Sequence, residues 1–208
     1  MLEGSIVALV TPMKAGGAVD WIALEQLLEW HLENGTHGIV PMGTTGESAT
    51  LDTDEHLKVI KRTIEVIGGR VPVIAGTGSN STAEAIHQTQ EAERAGADAC
   101  LLVTPYYNKP TQEGLYAHYR EIASATSVPI VLYNVPPRTA CDMSAETVAR
   151  LSELDGIVGI KEACGDVERV KEIHDLVGEG FVILSGEDAQ TRQMFDYGAK
   201  GCLLYTSD

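Results

Sequence analysis

Short apolar runs alternate with amphipathic stretches from one end of the chain to the other. Each run is β-branched, a few residues long, and ends in Gly, Pro, Ser or Thr. A polar loop follows, then a segment of 3.6-residue periodicity. Such runs begin near Ile6, Gly38, Val71, Ala99, Pro129, Ile157, Phe181 and Cys202, which makes each unit about 20–33 residues, the size of a βα repeat.

The helices between them carry start and stop signals. Asp20 caps the first; Leu24, Leu27, Leu28, His31 and Leu32 form its stripe and Gly35 ends it. The second starts at Thr53, turns Leu57, Ile60, Ile64 and Ile67 inward and closes at Gly68-Gly69. Ser81-x-x-Glu84 reads as a capping box for the third, which stops at Gly96. The fourth follows Thr111, with Leu115, Tyr119 and Ile122 inward, and the fifth follows Ser144, with Val148, Leu151 and Leu154. Asp166 opens the sixth and Asp188 the seventh, which ends at Gly198. Continuous apolar strands covered by helices indicate a parallel sheet. Seven complete units and the start of an eighth predict an α/β fold of the (β/α)8 TIM-barrel class, residues 1–208 forming a single domain. The eighth strand, Cys202-Leu203-Leu204-Tyr205, runs straight into Thr206-Ser207-Asp208. The barrel is therefore expected to be incomplete at its C-terminus, lacking a final helix and a C-terminal helical region.

Composition narrows the function. A net charge of −15 leaves no basic excess for nucleic acid, and an anionic substrate must be held by local donors. The start lacks a basic signal-peptide region, and no apolar stretch approaches the roughly 20 residues of a membrane span. Cys100, Cys141, Cys164 and Cys202 are scattered without a CxxC pair and read as reduced thiols of a cytoplasmic protein. The six histidines show no metal-ligand spacing, so no metal site is expected.

In such a barrel the chemistry belongs to the C-terminal ends of the strands. The run Ile157-Val158-Gly159-Ile160 ends abruptly in Lys161. Lys161 is either a surface lysine just past a strand or a buried amine, which becomes a nucleophile when burial penalises its ammonium form. Tyr133 ends the preceding strand and should stand beside it, as a proton shuttle or as a core tyrosine bonded to backbone. Gly43-Thr44-Thr45-Gly46 is a plain turn or a nest of N–H groups for a carboxylate. Arg138, beyond the stiff Pro136-Pro137 pair, suits bidentate carboxylate capture or simple solvation. Gly76-Thr77-Gly78 lacks the third glycine of a dinucleotide fingerprint, and no phosphate-binding GxxxxGK loop occurs.

Gly43-Thr44-Thr45-Gly46-Glu47, Pro105-Tyr106-Tyr107-Asn108-Lys109-Pro110, Tyr133-Asn134-Val135-Pro136-Pro137-Arg138-Thr139 and Gly159-Ile160-Lys161-Glu162 together resemble the dihydrodipicolinate synthase family, within the pyruvate-dependent class I aldolase superfamily. The likeness runs to about Gly201, after which Leu204 and Tyr205 depart from the family pattern. It implies a lyase of lysine (diaminopimelate) biosynthesis that condenses pyruvate with L-aspartate 4-semialdehyde through a lysine Schiff base, with no metal or organic cofactor. By resemblance, Lys161 forms the imine. Thr44, Tyr107 and Tyr133 relay protons, Tyr107 reaching into a neighbouring subunit. Thr45, Gly186 and Leu203 line the pyruvate pocket, and Arg138 binds the semialdehyde carboxylate. Ser48, Ala49, His56, Asn80, Glu84 and Tyr106 match an L-lysine effector site at a dimer interface, although Glu84 also has its capping box to complete. The family likeness further implies a homotetramer, a dimer of dimers, in the full-length protein. N-acetylneuraminate lyases and 2-keto-3-deoxy sugar acid aldolases share the lysine and the tyrosine and are the competing activities. A catalytically silent binding fragment is the alternative of another class.

Overall fold

The structure, a computed structural model, describes residues 2–204. Within them β1 (Gly4–Ala8), α1 (Trp21–Glu33), β2 (Gly38–Val40), α2 (Thr53–Ile67), β3 (Ile74–Gly76), α3 (Thr82–Ala95), β4 (Ala99–Val103) and α4 (Gln112–Ser124) come first. Then follow β5 (Ile130–Asn134), α5 (Pro136–Thr139), α6 (Ala145–Ser152), β6 (Ile157–Glu162), α7 (Glu168–Val177), β7 (Val182–Ser185), α8 (Thr191–Asp196) and β8 (Gly201–Leu204). The described strands run parallel in the order β2-β1-β8-β7-β6-β5-β4-β3. The two ends of that order meet at one parallel bridge, Ile39 to Val73. There the Ile39 N–H donates to the Pro72 carbonyl at 2.9 Å and the Gly76 N–H to the Pro41 carbonyl at 3.0 Å, so the sheet closes into a (β/α)8 barrel. Gly76 permits this approach, because a Cβ there would lie 2.1 Å from the Met42 carbonyl oxygen.

The caps explain why the helices start where they do. Asp20, Ser81, Thr111 and Ser144 each accept a backbone N–H from the first turn of α1, α3, α4 and α6. Asp52, one residue before the expected start, caps α2. The expected capping box at Ser81 forms only by half. The Glu84 N–H reaches Ser81 Oγ, but the Ser81 N–H turns to Ser79 Oγ, whose hydroxyl donates to Glu84 Oε2 at 2.7 Å. The Glu84 carboxylate is thereby left facing a cavity. β3 starts at Ile74, not Val71, since Pro72 has no N–H for the ladder. α7 starts at Glu168, with Asp166 Oδ1 accepting from its N–H at 3.0 Å. A 3-10 turn, Asp188–Gln190, precedes α8. The one-turn helix α5, led by Pro136 and Pro137, is a departure from the expected loop. β8 ends at Leu204; Tyr205, Thr206, Ser207 and Asp208, the expected divergent tail, lie outside the described residues.

Two cores result from strand alternation. The larger packs helix residues such as Leu24, Ile60, Tyr119, Leu151 and Ile173 against the outer sheet face. The smaller fills the barrel with Ile6, Val40, Ile74, Leu101, Val131 and Leu184. Each fully buried side chain of this size is worth about 1.5–3 kcal/mol, so the outer core carries most of the stability. The inner one can then open into a cavity at the C-terminal mouth. None of the described helices is long and apolar enough to cross a membrane.

Candidate active site

Lys161 of β6 pairs with Tyr133 of β5, and Glu162 with Asn134 one step further on. Alternation sends Lys161 and Tyr133 into the barrel and Glu162 and Asn134 towards the helices. Lys161 is only 7% exposed, and its Nζ lies 4.3 Å from the centre of the Tyr133 ring. Burial, and then the positive field of Arg138, pull its amine from the ordinary 10.5 down to about 7. Burial raises the Tyr133 phenol, opposed by Arg138 and by a hydrogen bond from Thr44. An amine about half of which is neutral therefore stands beside a protonated phenol near neutral pH.

These groups open into a cavity of about 750 Å³ whose wall includes Thr44, Thr45, Tyr133, Arg138, Lys161 and Gly186. The Thr44–Thr45 turn is tightly wound. Gly46 N–H bonds the Gly43 carbonyl at 3.0 Å, Glu47 N–H bonds Thr44, and Thr11 Oγ1 donates to the Gly46 carbonyl at 2.6 Å. Met42 (φ 57°) and Glu47 (φ 60°) flank it in the left-handed region, a conformation that costs non-glycine residues free energy and concentrates at functional loops. Gly186 follows β7 directly behind the lysine. A Cβ there would lie 3.0 Å from Lys161 Cε and 2.8 Å from Ala163 Cβ.

Leu203 was expected on this wall. It is instead fully buried in the barrel core, opposite Ile6, and Leu204 is the β8 residue that borders the cavity. The interior layers of a barrel are filled by side chains, and Leu203 belongs to the layer below the mouth. Tyr107 also lies apart from Lys161. It is 90% exposed, with φ 72°, and borders neither cavity described here. Sequence reasoning missed Val135, Pro137 and Ala163, all on the wall; the first two lie inside the Tyr133–Thr139 motif, where Pro137 is read only as stiffening the loop.

A second cavity, about 490 Å³, adjoins the first and shares Thr44, Val135 and Arg138 with it. Of the residues matched to an effector site by resemblance, Ser48, Ala49, His56, Glu84 and Tyr106 line it. Asn80 does not; its amide instead donates to the Tyr106 carbonyl at 3.1 Å. Gln88, one helical turn after Glu84, was missed although i, i+4 spacing puts both on one face. Its Nε2 donates to Glu84 at 3.3 Å, while its buried Oε1 has no partner. Burial keeps His56 neutral, its Nε2 bonded to the Gly76 carbonyl at 2.7 Å. The Glu84 carboxylate and the free Gln88 carbonyl suit an ammonium group. No cluster of His, Cys, Asp or Glu among the described residues could hold a metal ion.

Comparison with known proteins agrees with this geometry. The family model described as the dihydrodipicolinate synthetase family matches residues 1–208. A 4-hydroxy-tetrahydrodipicolinate synthase of Ectopseudomonas mendocina is 57% identical over the whole chain, which spans 71% of that relative's length. A solved dihydrodipicolinate synthase from Acinetobacter baumannii, complexed with pyruvate, superposes with a TM-score of 0.96 at 54% identity, over 98% of this chain and 70% of that one. A dihydrodipicolinate synthase from Cyanidioschyzon merolae with lysine bound gives 0.94 at 42% identity, over 98% of this chain and 69% of that one.

Proposed function

The chain belongs to the dihydrodipicolinate synthetase family, and from that membership we propose that it condenses pyruvate with L-aspartate 4-semialdehyde through an imine on Lys161. The observation that carries the proposal is the amine itself, buried, lowered to about 7 and set against a phenol in a cavity that a small keto acid fits. Nζ adds to the ketone carbon, and the ketone oxygen leaves as water, giving the iminium. The iminium draws electrons from the methyl group, which loses a proton to become an enamine. The enamine carbon attacks the aldehyde carbon of the second substrate, whose oxygen takes up a proton. The amino group of that substrate then displaces Nζ from the imine carbon, closing the ring and freeing Lys161.

Tyr133 and Thr44, which share the cavity wall with the amine, are assigned the proton transfers. Thr45, with the backbone of its turn, is assigned the pyruvate carboxylate, and Arg138 at the rim the carboxylate of the semialdehyde. Tyr107, exposed on its loop, is assigned to a second copy's site, in keeping with a homotetrameric, cytoplasmic enzyme. The second cavity is assigned L-lysine, its ammonium at Glu84 and Gln88, in line with the lysine-bound relative.

The test is to incubate the chain with pyruvate, reduce with borohydride and weigh the peptide containing Lys161. A pyruvyl adduct is expected, its yield falling as pH drops below about 7. No adduct would sink the imine reading and leave a silent binding protein. Turnover with aspartate semialdehyde, against N-acetylneuraminate and 2-keto-3-deoxygluconate, separates the synthase from the sugar-acid aldolases.

A further inference from the structure

Behind the reactive pair lies a polar ring that the chemistry above does not use. Glu162 follows Lys161 on the opposite face of β6 and is fully buried. Its Oε1 accepts the Ala163 N–H at 3.0 Å and the Cys164 N–H at 2.9 Å, the first two of the turn after the lysine. Both carboxylate oxygens accept from Asn134 Nδ2, at 3.1 and 3.2 Å. Asn134 follows Tyr133 directly, so its amide links the strand end bearing the phenol to the strand end bearing the amine. Asn134 Oδ1 in turn takes the Met143 N–H at 3.0 Å, and Nδ2 also reaches Asp142. Arg169 of α7 closes the ring on Asp142 and the Met143 carbonyl. The loops that this ring ties together carry Val135, Pro137, Arg138 and Ala163, all on the reaction cavity.

We propose that Glu162 is a positioning residue whose ionised carboxylate clasps Asn134 to the turn after Lys161, holding amine and phenol in reacting register. The inference rests on Lys161 being the reactive amine. A carboxylate is the one side chain that offers acceptors to three converging donors without bringing a donor of its own. An apolar strand end would leave the Cys164 N–H buried without a partner and strip Asn134 of its acceptor on β6, leaving that amide only Asp142 and the Ala163 N–H only the Asn134 carbonyl. Burial raises the Glu162 carboxyl to about 7, against the pull of Asn134, Cys164 and Arg169. The titratable groups around it are Asp142, Cys164, Arg169 and, across the strand, Tyr133, with Ser185 beside it on β7. Two deprotonations, at Lys161 and at Glu162, then have to precede reaction.

Glu162→Gln tests this, because it keeps one acceptor and turns a donor towards donors. The first readout is the rate at which trinitrobenzenesulfonate labels the peptide containing Lys161, followed with pH and without pyruvate. The parent chain is expected to lose reactivity on its acid limb with a logarithmic slope of about two, and the variant with a slope of about one. The variant should also react at least about tenfold more slowly at its plateau, as misplaced groups do. A variant matching the parent in rate and slope overturns the proposal. So does a slower variant with the parent's slope, which would make Glu162 a structural prop alone. If Glu162→Gln gives no cooperative melt, Asn134→Ser replaces it: slower labelling is expected, and unchanged labelling overturns the proposal. Pyruvate trapping on the parent chain is scored separately. Its failure would remove the imine chemistry, whereas the labelling still reads whether Lys161 depends on Glu162.

Discussion

Replacing Lys161 with methionine should make the protein more stable while abolishing any pyruvate adduct, and the gain should depend on pH with a defined sign. The unfolded lysine binds its proton near 10.5 and the folded one only below about 7. Between those values the native chain holds fewer protons than the unfolded one. Stability contributed at this site therefore rises with pH across that window and is lowest below 7. At about 1.4 kcal/mol per pH decade, the charging penalty on the acid side comes to roughly 5 kcal/mol. The ring of Tyr133, 4.3 Å away, returns about 1–2 kcal/mol to the ammonium form. Methionine has a similar length, no charge and a flexible stem that fills the same space. The variant's advantage at pH 6 should thus exceed its advantage at pH 10 by roughly 3 kcal/mol or more. Urea melts of both chains at the two pH values measure it, the difference amounting to about 1 M in midpoint for a domain of this size. A variant no more stable than the parent at pH 6, or an advantage that does not change with pH, would refute the claim that this amine is held against its charged state.

Gly186→Ala puts a methyl group 3.0 Å from Lys161 Cε and 2.8 Å from Ala163 Cβ. It should cost about 1–3 kcal/mol in a thermal or urea melt through overpacking. Because one displaced atom belongs to the lysine stem, it should also lower borohydride-trapped adduct about 100-fold; trapping at the parent's level would show that the stem has room to spare. L-lysine titrated into the protein in a calorimeter should give a saturable heat that Glu84→Ala removes, since that carboxylate is the one acid group on the second cavity's inner wall that also holds Gln88. No heat from the parent chain would remove the effector assignment.

Much of this molecule was legible before any coordinates. The caps at Asp20, Ser81, Thr111 and Ser144 work through bonds to residues three positions away, so the signal lies within a single helical turn. The strand-and-helix alternation follows from the period of the apolar positions, and with it the parallel barrel. A lysine closing an apolar run and the glycine-bracketed threonines each allowed two readings from the residues alone, and the likeness of the surrounding motifs to a family chose between them. The caps and the alternation are statements about neighbours in sequence, where the chain itself supplies the geometry.

What failed, or was invisible, depends on groups that meet only after folding. Leu203 and Leu204 are equally apolar neighbours, and only the register of β8 on β1 tells them apart, setting Leu203 beside Ile6 inside the barrel and Leu204 beside Val7. Glu84 had the right spacing for a capping box, yet Ser79 intercepts it and turns its carboxylate to the second cavity. The Glu162–Asn134 clasp joins residues 28 apart in the chain that sit side by side once β5 and β6 pair. The sequence by itself determined the repeating unit and the capped starts of α1, α3, α4 and α6, because local bonding and periodicity decide them, and the family likeness singled out the amine. Tertiary structure alone decided the amine's lowered proton affinity, the shared wall of the two cavities and the polar ring behind the site. Dehydration and long-range register arise only when distant segments exclude water together.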